Sequence, residues 1–196
     1  MKIKKFLIFL FVLNISYSNS YSIEPDIFVQ STVNRASQAL SKNISKDEKM
    51  NELKSIAKET VDIKGIGFYS LGPIRKELND IQKNKFSELF ESYFLKSFAS
   101  RLAEYTNPEI DVKGKEILNR NYTIVNSILV ATSDRPEVKI DWRIYTKYPR
   151  NPLIRDLIIE GLSLARTQKE EFASILNSND NDINALFKAL EEFSNN

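Results

Sequence analysis

Apolar residues recur along this chain at two spacings, and the change of spacing divides it. From about residue 24 to residue 105 they return every third or fourth position, the period of a helix with one dry face. Glu24-Pro25-Asp26 opens the first helix, with Pro25 suited to its first turn and Ile27, Phe28, Val33, Ala36 and Leu40 as its buried face. Ser45-Lys46-Asp47-Glu48 has the spacing of a capping box, and Met50, Leu53, Ile56 and Ala57 follow at helical intervals. A short helical stretch follows Val61-Asp62-Ile63 and breaks at Leu71-Gly72-Pro73. Asn79 or Asp80 caps the longest helix, which reaches about Tyr105 and ends at Asn107-Pro108. Its apolar set is Ile81, Phe86, Leu89, Phe90, Tyr93, Phe94, Phe98, Leu102 and Tyr105.

The spacing then shortens to two. A weak strand over 110–118 is followed by Tyr122, Ile124, Ile128 and Val130 alternating with Thr123, Val125, Ser127 and Leu129, so both faces of that strand are partly apolar. A turn at Ser133-Asp134-Arg135-Pro136 leads to a clean alternation, with Val138, Ile140, Trp142 and Ile144 on a dry face and Lys139, Asp141, Arg143 and Tyr145 on a wet one. A turn from Pro149 to Pro152 precedes a strand over 153–159, and helices over 162–177 and 183–193 close the chain. Helices, an antiparallel meander, then helices again predict an α+β domain.

The front end changes the reading of compartment. Lys2, Lys4 and Lys5 precede the apolar run at 6–13, and small residues (Ser16, Ser18, Ser20, Ser22) follow at cleavage spacing, the pattern of a secretory signal peptide over 1–22. That run is too short to span about 30 Å of hydrocarbon. Residues 23–196, about 175 in number, are expected to form one domain. Without the three leader lysines, 25 basic residues face 26 acidic ones, and the net charge falls from +2 to −1. A near-neutral chain does not read as a nucleic-acid binder.

The 196 residues include no histidine and no cysteine. Ser-His-Asp and Cys-His catalysis are thereby excluded, as are thiolate and imidazole metal sites. Gly161-Leu162-Ser163-Leu164-Ala165 is half of a nucleophile elbow; without a base, Ser163 reads as a helix-start residue. Asp180, Asp182, Asn184 and Glu191 have calcium-loop spacing, but Ala185 stands where glycine is needed and Lys188 where a ligand belongs. Helix capping by Asp180 or Asp182 is the better reading. Lys147, Arg150 and Arg155 flank a turn, either as a solvated face or as contacts for an anionic headgroup or partner. No metal or cofactor is called for, and an enzymatic role would have to use Asp141, Asp156 or Glu160.

Four blocks in order resemble the MlaC family, also called the toluene-tolerance or phospholipid-binding family, over about residues 25–190. They are Val61-Asp62 with Leu71-Gly72 and Arg75; the ladder Phe86, Phe90, Phe94, Phe98, Leu102, Tyr105; Arg135-Pro136-x-Val138-x-Ile140-Asp141; and Asp156-Leu157-Ile158-Ile159-Glu160-Gly161-Leu162-Ser163-Leu164, ahead of a helix carrying Phe172. Pro152, Arg155 and Ile74 depart from the tryptophan, tyrosine and tryptophan usual in the family. The resemblance implies a twisted antiparallel sheet wrapped by helices, with an apolar lipid pocket between long helix and sheet. It implies a non-enzymatic periplasmic phospholipid carrier. Its partners would be an inner-membrane Mla-type ABC transporter with an MCE-domain subunit and an outer-membrane Mla lipoprotein complex. On that fold, strand alternation and the helix stripe place Leu71, Phe90, Phe94, Ile124, Ile140, Trp142, Leu157 and Ile159 against the acyl tails. An apolar void of roughly 500 Å³ would cost on the order of 12 kcal/mol, so the pocket is expected either to hold lipid or to close. The alternative is a periplasmic adapter with an ordinary filled core.

Overall fold

The computed structural model describes residues 22–105 and 108–195, so the signal-peptide expectation and Asn107 lie outside the described residues. Six helices flank one five-stranded sheet: α1 Pro25–Ser41, α2 Lys46–Thr60, α3 Ile63–Ser70, a 3-10 turn Gly72–Lys76, α4 Asp80–Leu102, β1 Ile110–Asn119, β2 Tyr122–Leu129, β3 Val138–Tyr145, β4 Leu153–Ile159, β5 Leu162–Ser163, α5 Leu164–Asn177 and α6 Ile183–Asn195. The strands pair in chain order and antiparallel throughout. This is the α+β class expected from the change of period.

Helix starts follow local chemistry. Ser45 and Glu48 form the reciprocal capping box at α2, and Asn79 with Gln82 does the same at α4. Asp62 accepts from the Gly65 amide at 2.8 Å and starts α3. Gly72 takes a φ of +61°, which an L side chain rarely adopts, and the Arg75 guanidinium donates to its carbonyl at 3.2 Å. The Leu71-Gly72…Arg75 block is therefore a turn with its own brace.

The register settles which sheet face is dry. Val125 opposes Trp142, Ser127 opposes Ile140, and Thr123 opposes Ile144. Directly opposed residues share a face, so the dry face of β2 is Thr123, Val125, Ser127 and Leu129. Ile124 lies on the other face, between Glu116 and Arg143. Ile140 and Trp142 continue onto Ile159 and Leu157 of β4.

Helices α1, α3 and α5 pack on the sheet, while the principal backbone neighbours of α4 are α2, α3 and α6. Three residues of the expected apolar faces are solvent-facing instead: Ile27 and Ile81, each in the first turn of its helix, and Tyr105, beyond the end of α4. The stripe reading also missed a second buried side of α4. Ala99 packs with Leu40 and Leu53 in a small separate cluster against α1 and α2. The helix ends at Leu102, one turn before the expected Tyr105.

Candidate lipid-binding site

One contiguous apolar cluster joins α4 to the dry face of the sheet. Leu71, Phe90, Ile140 and Trp142 are buried in it, and Phe94 and Leu157 pack against it partly exposed. Ile159 shares the face through its pairing with Ile140 but is only half-buried. Ile124 is buried yet points away, which corrects its assignment to this wall. Hydrophobicity could not have separated Ile124 from Val125; only the register does.

The α4 side of the cluster is aromatic. Phe86 and Phe90 stack at 5.6 Å, Phe90 meets the edge of Phe172 at 6.0 Å, and Phe94 lies parallel to Phe98 at 5.7 Å. The close approach of α3 depends on Gly67. A Cβ there would stand 2.7 Å from the Phe90 ring. At the rim, the Tyr93 hydroxyl donates to Gln168 at 2.9 Å, and burial raises its pKa.

On the sheet side, two polar side chains satisfy one another. The Trp142 indole N–H donates to Ser127 Oγ at 2.8 Å, and that hydroxyl donates to the Ile140 carbonyl at 3.0 Å. A wall whose polar atoms are already bonded presents only carbon to a guest. Ser127 was not named as a site residue. Its one sequence signal is a small polar residue one strand across from a lone tryptophan.

The three carboxylates weighed as catalytic bases each hold structure. Asp156, with a side chain 1% exposed, accepts from Ser163 Oγ at 2.6 Å and the Ala165 amide at 3.0 Å, with Arg143 at 3.5 Å. Ser163 in turn accepts from the Arg166 amide at 3.1 Å. The Asp156-to-Ser163 block is thus a brace from β4 to the start of α5. Glu160 accepts from the Lys139 amide at 2.6 Å, and with Gly161 it forms a two-residue turn in which both φ are positive, at 48° and 83°. Asp141 accepts from Asn126 on the outer face.

Arg155 is neither solvated nor available to a headgroup. It donates to Asp62 at 2.6 Å and to the Tyr122 hydroxyl at 2.7 Å, and lies 4.1 Å from the centre of the Tyr145 ring. In the calcium-like segment, Asp182 accepts from the Asn184 amide while Glu191 pairs with Lys85. Two surface depressions are lined mainly by polar residues, one around Asn34 and Gln38 and one around Asp180 and Lys188, away from the α4–sheet cluster. Among the described residues no helix is long and apolar enough to cross a membrane.

Residues 29–192 match the family model of the MlaC protein. The fold superposes on the phospholipid-binding protein from Ralstonia solanacearum, solved in complex with a phospholipid, with a TM-score of 0.74 at 18% identity. The match covers 88% of this chain and 97% of that one. No curated protein matches the chain.

Proposed function

The chain belongs to the MlaC family, and on that premise we propose that it carries phospholipid through the periplasm between inner and outer membranes. The acyl tails lie against Leu71, Phe90, Phe94, Ile140, Trp142, Leu157 and Ile159, the members of the expected set that share the α4–sheet region; Ile124 is excluded by its face. The observation that carries this reading is the aromatic stripe of α4 meeting a sheet face on which the Trp142 indole and the Ser127 hydroxyl are internally bonded. Partners are an inner-membrane ABC transporter with an MCE-domain subunit and an outer-membrane lipoprotein complex, reached after removal of residues 1–22.

The energetics suit an enclosure without catalytic groups. Two tails of about 16 carbons expose roughly 30 methylenes, and bringing them into water costs on the order of 25 kcal/mol. A carrier has to supply a comparable apolar surface, and rings that pack by shape can be re-packed around a guest. The headgroup stays in water, so headgroup selectivity is weak. The contiguous core also fits the second reading, an interaction protein whose interior is simply filled. Organic extraction of protein purified from a native periplasm, followed by lipid mass spectrometry against a periplasmic control protein, separates the two. About one diacyl phospholipid per chain is expected. Folded protein that neither carries lipid nor takes up added phospholipid overturns the carrier reading in favour of the adapter.

A further inference from the structure

Two hairpin tips lie side by side at one end of the sheet. The β1–β2 turn and the β3–β4 turn fall at the same end of an antiparallel meander, and the Thr146 amide donates to the Asn121 carbonyl at 2.8 Å. Apolar side chains project from them into solvent: Ile117 is 75% exposed, Leu118 46% and Tyr148 60%. Arg120, Lys147 and Arg150 stand among them, all exposed. Among the described residues these three cations form no ion pair with a carboxylate; Lys147 lies 5.6 Å from the Tyr148 ring. Carboxylates stand at this end too, turned to another partner or to the other face. Glu24 and Asp26 are held by Lys115, and Glu116 lies on the outer face opposite Ile124.

Exposed apolar side chains grouped with unpaired cations are not explained by packing of the core. The combination has a definite complement. Aliphatic side chains and a tyrosine on convex tips enter the boundary of an acyl layer, while flanking cations meet phosphates. A polar protein epitope would leave the exposed apolar side chains of the tips without a partner. We propose that the two hairpin tips dock onto the surface of an anionic lipid bilayer. The tips lie at the opposite end of the sheet from Phe94 and Val138, so a docked molecule keeps that end of its core free. The inference stands on these exposed residues and does not depend on lipid carriage.

The test is flotation of the protein, purified from cells expressing the full chain, with two kinds of vesicle. One is phosphatidylcholine alone; the other is phosphatidylcholine mixed with phosphatidylglycerol. Binding is expected to the anionic vesicles only and to disappear as salt rises to ~0.5 M. Lys147→Gln with Arg150→Gln should lower the partition on the order of 25-fold, about fivefold per cation. Ile117→Ser with Leu118→Ser should weaken it while the salt dependence remains. Lys188→Gln, on α6, should change nothing. All are surface changes, and unchanged thermal melts confirm the fold. Equal binding to neutral vesicles, or tip variants that bind like the parent, overturns the proposal. So does the absence of vesicle binding, which would give the tips to a protein receptor. Self-association lost in the same variants would give them to a second copy.

Discussion

The two ends of the sheet are closed by different forces. At the hairpin-tip end, polar bonds tie five elements together. The Asp62 amide donates to the Ile154 carbonyl at 2.9 Å, Val61 bridges Ile154, and Arg155 joins Asp62 to Tyr122. Lys115 adds α1 to the same end through Glu24 and Asp26. At the other end, where α4 finishes, polar bonds such as that from the Lys139 amide to Glu160 stay within the sheet and its turns, and the contact with the core is by rings and aliphatics: Phe94, Phe98, Ile110, Val112 and Val138 pack against it and remain partly exposed. Polar bonds have direction and are costly to break unpaired, so they fix register. Aromatic packing is less directional than hydrogen bonding and can be made again around another apolar body. On the proposed reading, the polar end holds the sheet in place and the aromatic end is the one that admits the lipid.

Truncating one side chain at each end is the strongest way to break this comparison. Ile154→Ala, at a position buried beside the Val61 bridge, should cost about 3 kcal/mol in urea denaturation. Phe98→Ala removes a larger side chain but a partly exposed one, and should cost only about 1–2 kcal/mol. Lipid per folded chain should fall in the Phe98 variant and hold in the Ile154 variant. Equal losses of stability, or lipid lost from the wrong end, would dissolve the distinction.

Arg155 sharpens it further. Arg155→Met keeps much of the stem over Tyr145 but leaves Asp62, at the start of α3, without its cation. A loss of about 2 kcal/mol is expected from unpairing a partly buried carboxylate. The same fall in stability should appear in Asp62→Asn, and the double variant should cost little more than either single one. Additive losses would mean that the two residues do not act as a clamp.

What the sequence made legible follows the same division between local and distant causes. The capping boxes at Ser45 and Asn79 were readable because each is complete within four residues. The dry face of β3 was readable because Lys139, Asp141 and Arg143 mark the other face. β2 has no such marker, and Ile124 was placed on the wrong side for that reason. Arg155 looked like a turn cation because its partner, Asp62, is 93 residues away along the chain. Ala99 was invisible to a single-stripe reading, since α4 is buried on two sides and a small residue carries little hydrophobic signal. The Asp156 block was recognised as a family pattern before its physical role was evident, and that role, bracing the start of α5, appears only once β4 and α5 are seen together.

The weakest tie at the pinned end is the one most easily tested by pH. Lys115 donates a hydrogen bond to Asp26 and holds that carboxyl below its ordinary pKa; the same bond raises the pKa of Lys115. A carboxylate with a depressed folded pKa adds stability above its unfolded value, near 4, and loses it as pH falls through the folded value. The lysine's part is complete below its unfolded value, near 10.4, and is lost as pH rises through the raised folded value. Both groups face solvent, so the pair should contribute only a few tenths of a kcal/mol. Parent and Lys115→Met proteins should therefore differ by that amount at neutral pH, measured by urea denaturation at matched pH. The difference should shrink between about pH 4 and pH 2, because protonation of Asp26 removes from the parent what the substitution has already removed from the variant. Salt at ~0.5 M should erase it at neutral pH as well. A difference that persists at pH 2 would have to come from packing of the Lys115 stem against β2, and the anchoring of α1 would then belong with the apolar contacts that close the opposite end.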